Sequence, residues 1–371
     1  MTAPTVSREQ VLAHRIVTHG LDRRAKAPGD LAVVDLGIQD SPTGTAAQSL
    51  AARLPVRKAP VAVPDDWVLL WSVRGAPHYH RRADLAALAR ALWPVDSADA
   101  AARMGGASPQ IKEAGTDPLD ALHATAEALA AVVTRPMSKG EASTALTERA
   151  PDECAAYCRG CGVVHVQDQL MRLAGLPSGT RLEPGSNPLT LAPIPRWRGV
   201  PDGHDGGGLL TDAYLRIHGP ATPAEVASYL QTTQRAVKPD WPDGLAEVRV
   251  DGKRAWLPEE QLDDLLDAPT ADLVRLLPRS DPWLLARDRE RVVPGKAHRK
   301  VLWPMLGHPG GVLVDGEIAG AWRTSSSGKR LDVSVELFAK LPAAARRAVD
   351  DEAAAVAAVR GFGDVRVAYD G

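Results

Sequence analysis

Residues 209–257, LLTDAYLRIHGPATPAEVASYLQTTQRAVKPDWPDGLAEVRVDGKRAWL, decide the fold class. Apolar residues recur at helical spacing over 209–218, and Gly219-Pro220 marks a turn after them. Thr222-Pro-Ala-Glu225 combines a capping box with a proline at the first helical position, so a second helix is expected to start there. A third helix is expected over 233–237. The stretch therefore begins with three short helices.

A hairpin follows these helices. Residues 245–250 and 255–257 are strand candidates, and Asp251-Gly252 joins them. Asp-Gly is a strong signal for a type I′ turn, the tight turn that joins antiparallel strands. Three helices and then a hairpin are the element order of a winged helix, a variant of the helix-turn-helix. The sequence predicts one such unit over 201–269.

The same order is expected at the start of the chain, over 1–100. Ser7-Arg-Glu-Gln10 is a capping box that opens a helix, an apolar stretch follows at 31–38, and another helix is expected over about 45–54. A strand is expected over 67–73, with a return strand and a further helix after it. These features predict a first winged helix.

Residues 101–200 are predicted to hold a second, decorated winged helix. Glycine, proline and charged residues over 101–116 are typical of a linker. Helices are expected over about 118–133, 138–147 and 151–161, and a loop rich in proline and glycine follows them.

The remainder, 270–371, has a different pattern. Asp315-Gly316 joins two short apolar runs, 331–335 alternates like a strand, and 342–359 is expected to be helical. We expect a small β-rich domain here. The predicted fold class is therefore mainly α with β wings (α+β), with tandem winged-helix units plus a small C-terminal β-rich domain.

Composition limits the kind of protein. The chain has 371 residues, 44% of them hydrophobic, which indicates about two to four packed units. No apolar run approaches the ~20 residues that a membrane helix needs, and the N-terminus lacks the pattern of a secretory signal. Three cysteines within 154–161 are too few for a disulfide framework. We expect a cytoplasmic protein with no membrane partner. The lack of dimerisation heptads disfavours a simple repressor, and three winged helices in one chain could form a monomeric clamp around duplex DNA.

The net charge of −2 gives no overall sign of nucleic-acid binding, but the charge is unevenly spread. Eight lysines or arginines lie within 275–300, against four acids counted from Asp272. Such a run can form a basic face that meets phosphate, or it can be a set of solvated surface charges. The candidate DNA-binding residues come from the first predicted wing and from this run, and they are Arg74, His78, Arg287, Lys296, Arg299 and Lys300. For the histidine, the alternative is a side chain satisfied within the core.

Five segments, in order along nearly the whole chain, resemble the AlkZ/YcaQ-type winged-helix DNA glycosylases. They are LGIQDSP at 36–42, VRG at 73–75 with His78, LRIHGPAT at 215–222, LLP at 276–278 with DPW at 281–283 and Arg287, and VDG at 314–316 with GAWR at 320–323. The resemblance implies tandem winged helices with a C-terminal β domain. It also implies excision of bulky or crosslinking N7-alkylpurines, an activity with which some members protect producers of DNA-alkylating antibiotics. We expect no cofactor.

The resemblance places the catalytic motif at the end of the second helical segment of the first unit. In the family this motif is Gln–hydrophobic–Gln or Gln–hydrophobic–Asp. If Gln39 matches the second polar position, Gly37 stands where the first Gln should be. If Gln39 matches the first, Asp40 and Ser41 follow it with no hydrophobic spacer. Gln39 is carried over in either register.

Gln39 and Asp40 are therefore the candidate catalytic residues. An N7-alkylated guanine is already cationic, so the enzyme has to stabilise an oxocarbenium-like sugar and orient a water rather than protonate the leaving group. A glutamine can hold that water, and an aspartate can stabilise the cation or take a proton. The alternative is that Asp40 or Ser41 only caps the next helix.

Cys154, Cys158, Cys161 and His165 are of the ligand types that zinc accepts. Their spacing is not one of the usual structural-zinc patterns, and the single helix expected over 151–161 could not aim all four side chains inward. We therefore expect no bound metal, with buried free cysteines as the preferred interpretation.

The first function hypothesis is a monofunctional DNA glycosylase that hydrolyses the N-glycosidic bond of bulky N7-alkylpurine adducts. The alternative is a non-enzymatic winged-helix DNA-binding protein or regulator that has lost the catalytic motif. The partner is duplex DNA, carrying alkylated purines in the first case, and little sequence preference is expected because the contacts go to phosphate. A metal-dependent nuclease is disfavoured because no carboxylate cluster is evident in the sequence.

Overall fold

The structure is a computed structural model that describes residues 3–55, 61–206 and 208–370. Within these ranges no helix is both long enough and apolar enough to cross a membrane.

Contacts group the chain into two compact units, each assembled from separated stretches. The first unit consists of Met1–Pro64, Asp212–Glu225 and Asp243–Gly371, and the second of Asp65–Thr211 and Val226–Pro242. The division into the four consecutive domains 1–100, 101–200, 201–269 and 270–371 stays a prediction.

The α-helices that the structure describes are Arg8–Thr18, Thr45–Ala51, Leu85–Leu92, Ser97–Met104, Ser108–Glu113, Pro118–Val132, Lys139–Arg149, Asp168–Gly175, Gly208–His218, Pro223–Leu230, Gln234–Val237, Leu262–Leu266, Arg289–Val292, Lys296–Leu302 and Ala343–Val359. Short 3-10 helices lie at Pro28–Asp30, Ala32–Leu36, Val73–Gly75, Arg82–Asp84, Gly105–Ala107, Asp152–Cys154, Lys238–Asp240, Glu259–Gln261 and Pro282–Leu285.

The strands that the structure describes are Thr5–Val6, Ile38–Gln39, Trp67–Trp71, Pro77–Arg81, Met137–Ser138, Ala155–Cys158, Val163–Val166, Thr180–Leu182, Thr190–Pro193, Leu245–Val250, Lys253–Pro258, Val274–Leu277, Gly310–Val314, Glu317–Ser327, Arg330–Leu337 and Asp364–Asp370. The mixture of helices with small sheets confirms the predicted α+β class.

The element order predicted over 201–269 is confirmed, three helices and then an antiparallel hairpin. The Thr222 hydroxyl accepts from the Glu225 N–H at 3.3 Å, and the Glu225 carboxylate accepts from the Thr222 N–H at 2.6 Å. Asp251 and Gly252 both have positive φ, +50° and +76°, as a type I′ turn requires. The sequence did not indicate the third strand of this sheet, Thr5–Val6, which pairs in parallel with the first strand of the hairpin.

The C-terminal part holds the expected β-rich structure. Its five-stranded sheet has the order Val274–Leu277, Gly310–Val314, Glu317–Ser327, Arg330–Leu337, Asp364–Asp370, the last pair parallel. Helix Ala343–Val359 packs on the sheet through Val349 and Ala353, both fully buried with Val333 and Val335. Burial of this apolar face is what stabilises the domain.

The prediction of a linker over 101–116 is wrong. Helices Ser97–Met104 and Ser108–Glu113 occupy most of it. The Asp96 side chain accepts from the Asp99 N–H at 2.8 Å and so caps the first of these helices. Gly105 and Gly106 lie between these two helices, in which Ala100, Met104 and Ile111 are buried.

The prediction of a helix over 151–161 is also wrong. A 3-10 turn, Asp152–Cys154, leads into an antiparallel hairpin of Ala155–Cys158 and Val163–Val166. Three valines in the second strand favour extended backbone, and Gly162 at the turn has φ +72°. This hairpin changes which cysteine side chains can meet.

In the first predicted winged helix, the hairpin of Trp67–Trp71 and Pro77–Arg81 is confirmed. The helix expected over 45–54 spans Thr45–Ala51. The apolar stretch at 31–38 forms the 3-10 helix Ala32–Leu36 rather than an α-helix.

Two arginine–aspartate pairs lie in the interior of the first unit. Arg53 and Asp281 are fully buried, and two guanidinium nitrogens donate to the two carboxylate oxygens at 2.7 and 2.8 Å. Arg15 pairs in the same bidentate way with Asp288, at 2.7 and 3.1 Å. The charged groups are thus satisfied within the core, and they link the N-terminal segment to the C-terminal part of the same unit.

Two interior histidines make this unit sensitive to acid. The rings of His19 and His218 lie edge to face with centroids 4.9 Å apart. Burial, with nearby positive charge, lowers the pKa of His218 to about 3 and that of His19 well below its usual value. Because both rings are neutral in the folded protein, their contribution to stability is complete above the unfolded pKa, about 6.5, and is lost as the pH falls from there towards the folded pKa.

We expect His218→Gln to flatten the pH dependence of stability. Between about pH 7 and pH 5, one such histidine should cost roughly 1–2 kcal/mol of unfolding free energy, because only the unfolded chain takes up the proton. Urea denaturation of the parent and the variant over this pH range measures the loss. An identical loss in both proteins would contradict the assignment.

Candidate functional site

The candidate catalytic segment lies between the 3-10 helix Ala32–Leu36 and helix Thr45–Ala51. Ile38 and Gln39 form a short strand in which Ile38 is fully buried and Gln39 half-buried. Gly37 has φ +79°, a backbone conformation that would strain a glutamine at this position. Which of the two registers of the motif applies to Gln39 stays a prediction.

Asp40 is 6% exposed, and its carboxylate lies at the start of the next helix. The carboxylate accepts from the Ala46 N–H at 2.9 Å and lies near the Gly44 and Thr45 N–H groups. Burial raises the pKa of Asp40, and these N–H groups oppose the rise. The position matches the capping interpretation, since the carboxylate accepts from a free N–H group at the start of helix Thr45–Ala51.

The Gln39 backbone carbonyl accepts a hydrogen bond, whereas its side-chain oxygen has no hydrogen-bond partner among the described residues. The Thr45 hydroxyl donates to the Gln39 carbonyl at 3.3 Å, and the Ser280 hydroxyl donates to that of Thr45 at 2.8 Å. The Gln39 Oε1 is buried and has no hydrogen-bond partner among the described residues. A buried acceptor of this kind is a position where a water or a ligand donor belongs.

A cavity of about 320 Å³ opens beside this segment, lined in part by Pro42 and Thr45. Its described lining includes no acidic residue but has four side chains that can carry positive charge, Arg279, His308, Arg323 and Arg360. Neither Gln39 nor Asp40 is among the described lining residues. The cavity suits an anion such as a phosphate.

Each cavity arginine is oriented by one hydrogen bond to the protein. Arg279 donates to the Ser41 carbonyl at 3.2 Å, Arg323 to the Gly307 carbonyl at 2.6 Å, and Arg360 to the Thr324 hydroxyl at 2.6 Å. A guanidinium has five N–H donors, so each retains donors for a ligand.

An apolar loop precedes the cavity residue His308. Met305 and Leu306 are 95% and 85% exposed, the highest values among the exposed large apolar side chains. Apolar side chains beside a basic surface can enter the base stack of DNA.

Comparison with known proteins identifies the family. Residues 29–359 match the family described as DNA glycosylase AlkZ-like. The chain belongs to the AlkZ-like DNA glycosylase family. DNA glycosylases are hydrolases that cleave the N-glycosidic bond.

A curated relative and a solved structure are similar to this chain. An interstrand DNA cross-link repair glycosylase of Streptomyces sahachiroi is 28% identical over 174 residues, which are 44% of this chain and 46% of that protein. The chain thus matches less than half the length of this curated relative. The solved structure of the Streptomyces sahachiroi DNA glycosylase AlkZ has a TM-score of 0.73 and 23% identity, covering 99% of this chain and 100% of that one. The AlkZ-like fold is therefore shared over the whole chain.

Arg74 and His78 contact other residues of the second unit. The Arg74 guanidinium donates to the Tyr229 carbonyl at 2.7 Å and lies 4.8 Å from the centre of the Tyr229 ring. His78 is fully buried, and its Nδ1 donates to the Ala76 carbonyl at 2.9 Å. Burial lowers the pKa of His78 well below its usual value. These contacts favour packing roles, and DNA contact by either residue stays a prediction.

The candidates from the arginine-rich run differ in exposure. Lys296 and Lys300 are exposed, as a phosphate contact requires. Arg299 instead donates to two carbonyls of the preceding loop and to a glutamate. Arg287 is half-buried, and its backbone N–H donates to the Tyr214 hydroxyl at 3.2 Å. Much of the run therefore supports the fold.

The cysteine segment brings three of its four candidate ligands together. The ligand atoms of Cys158, Cys161 and His165 lie within 4.8 Å of one another, whereas Cys154 is buried with its thiol 3.8 Å from the Ala121 carbonyl. The neighbouring His165 side chain and the backbone of the turn lower the pKa of Cys158 to about 7. The expectation of no metal rested on the spacing of the four residues and on a single helix, and the structure has a hairpin in place of that helix.

Sequence reasoning missed Arg323 and Arg360 as site residues. They come from a central strand and from the end of helix Ala343–Val359, and only the folded chain brings them to one cavity. Arg323 does lie in the GAWR segment that carried the family resemblance, which is a signal that could have identified it.

Proposed function

We propose that this protein is a monofunctional DNA glycosylase that excises bulky N7-alkylpurine adducts from duplex DNA, with Gln39 positioning the attacking water. The observation that carries the proposal is the buried, partnerless Oε1 of Gln39 at the position of the family's catalytic motif. A cationic N7-alkylpurine is already a good leaving group, so one well-placed water acceptor is sufficient chemistry.

The basic cavity supports contact with the DNA backbone. Arg279, Arg323 and Arg360 converge there beside the segment that carries Gln39. Phosphate contacts of this kind fix the register of a protein on DNA without reading sequence. The exposed Met305 and Leu306 supply an apolar group that can support an unstacked duplex.

The substrate class follows from the chemistry and from the relative. The S. sahachiroi protein is named for interstrand cross-link repair, and we extend the proposed substrates to cross-links formed through alkylated purine N7 atoms. The protein would act as a monomer on the nucleoid in the cytoplasm.

A second candidate function is DNA binding without excision. Two observations favour it: Gly37 replaces the first polar residue of the motif, and the Asp40 carboxylate is used as a helix cap. Under this alternative the basic cavity would still bind phosphate.

The deciding experiment is incubation with a duplex carrying one N7-alkylguanine, followed by alkaline cleavage of abasic sites. Strand breaks at the adduct that depend on enzyme and on Gln39 support the proposed glycosylase. Tight binding of the same duplex without abasic sites supports the alternative and overturns the glycosylase proposal.

We expect Arg323→Gln and Arg360→Gln to weaken DNA binding at all sequences alike. Each lost phosphate contact should lower the slope of log affinity against log salt by about 0.9. Fluorescence anisotropy at several salt concentrations measures the slope. The matched control is Arg24→Gln, whose side chain is 77% exposed and outside the cavity. Equal slopes for the cavity variants and the parent would exclude this cavity as the phosphate site.

A further inference from the structure

The geometry of the hairpin Ala155–Val166 points to a second site. We propose that Cys158, Cys161 and His165 bind one zinc ion, with water as the fourth ligand. The site lies in the second unit and is independent of the proposed glycosylase chemistry.

The strand register places two of the ligands on one face. Cys158 pairs with Val163, and His165 pairs with Ala156 across the antiparallel hairpin. Residues that pair directly share a face, and so do residues two apart in a strand, which makes Cys158 and His165 diagonal neighbours. The three ligand atoms lie within 4.8 Å of one another. Only small side-chain adjustments would bring them to tetrahedral separations around one ion.

The turn presents the second sulfur and supports the first. The sequence Cys158-Arg-Gly-Cys161-Gly162 is a Cys-x-x-Cys turn, closed by a 2.8 Å hydrogen bond from the Gly162 N–H to the Cys158 carbonyl. The turn also brings the N–H groups of Gly160 and Cys161 near the Cys158 sulfur. Backbone donors to a ligand sulfur stabilise the thiolate form that binds metal.

The histidine is oriented as a metal ligand. Its Nδ1 lies 2.7 Å from the carbonyl of the adjacent Val166, and since a carbonyl can only accept, Nδ1 carries the proton. The neutral ring then has its lone pair on Nε2. A metal-binding His165 with one ring nitrogen donating to a backbone carbonyl is the usual outer-shell arrangement.

The fourth position is left to solvent. Cys154 is buried elsewhere, and the Asp168 carboxylate is already paired with Lys139 and, at 2.7 Å, with Arg172. The cluster lines an open cavity of about 640 Å³, so an ion can enter. Two sulfurs and one imidazole select zinc over the oxygen-seeking Mg²⁺ and Ca²⁺.

The role of the ion would be to cross-link the two strands. Tyr157, Val163 and Val164 are 64%, 55% and 58% exposed, so this hairpin has little apolar burial of its own. A small two-stranded hairpin is marginal in water, and a metal that joins its strands can stabilise it.

The test uses the full chain, purified with reductant from zinc-supplemented medium. Elemental analysis should give about one zinc per chain. Co²⁺ added to the metal-free protein should give the thiolate-to-metal charge-transfer band and the ligand-field bands of a tetrahedral site. Both signals should be lost in Cys158→Ser and Cys161→Ser, with an affinity loss of at least about a hundredfold. Cys154→Ala, which removes a thiol outside the cluster, should retain both.

Three outcomes would overturn the proposal. The first is reduced parent protein that binds neither zinc nor Co²⁺. The second is metal that survives the double substitution C158S/C161S. The third is a Cys158–Cys161 disulfide that persists in reductant and blocks metal binding, detected by thiol counting. Circular dichroism of each variant checks that it is folded. His165→Ala should leave a two-sulfur site whose Co²⁺ bands differ from those of the parent.

Discussion

Gln39→Ala is expected to slow base excision by about a hundredfold to ten-thousandfold, the range for loss of a group that positions or activates the attacking water. Its Oε1 has no hydrogen-bond partner among the described residues, so the substitution removes no hydrogen bond made by that atom. DNA affinity and melting temperature should therefore stay close to those of the parent, because a positioned water matters mainly in the transition state. Single-turnover excision with excess enzyme, together with anisotropy and thermal melts, measures the three quantities.

Two variants separate this effect from a structural one. Gln110→Ala removes an exposed glutamine from helix Ser108–Glu113 and should excise like the parent. Asp40→Ala removes the cap of helix Thr45–Ala51 and should lower stability by about 1 kcal/mol, with any loss of rate following the loss of folded protein. If Gln39→Ala excises at the parental rate while folded, Gln39 is not the catalytic residue.

Arg53→Met is expected to destabilise the first unit by about 3–5 kcal/mol, because it leaves the carboxylate of Asp281 buried without its partner. The same guanidinium also donates to the Ser49 and His19 carbonyls, both at 2.8 Å, so these acceptors would lose their donor too. Urea denaturation measures the change in unfolding free energy.

The double variant R53M/D281L tests the reason for that loss. Removing both charges eliminates the unpaired carboxylate, so the double variant should be clearly more stable than Arg53→Met alone. If the two variants are equally unstable, the loss of unfolding free energy comes from packing and from the lost hydrogen bonds to the Ser49 and His19 carbonyls rather than from the buried charge.

The local signals in the sequence predicted local structure well. The Thr222–Glu225 capping box and the Asp251-Gly252 turn specify hydrogen bonds between near neighbours, and the structure contains both. The assignment of Gln39 also comes from a short motif, and it stays a prediction. Such signals need no knowledge of the rest of the chain.

Features that depend on distant contacts were not predicted. Nothing near Arg323 in the sequence indicates that Arg360 will reach the same cavity. The first strand of the hairpin, Ala155–Cys158, lies within the helix predicted over 151–161 because alanine favours helices, and the valines that favour a strand come only after the turn. The sequence offers capping of the next helix by Asp40 only as an alternative to a catalytic role, and the hydrogen bond from the Ala46 N–H appears only in the folded chain.

The pairing of strand Thr5–Val6 with Leu245–Val250 has a consequence for the order of events during synthesis. Thr5 pairs with Arg249, a residue translated 244 positions later. At about 5–20 residues per second, the first strand leaves the ribosome roughly 12–50 s before its partner. Over that time Asp65–Thr211, the main part of the second unit, is completed first. The nascent N-terminus therefore has to remain available, and a chaperone or an early misfolded contact that captured it would stop the first unit from closing.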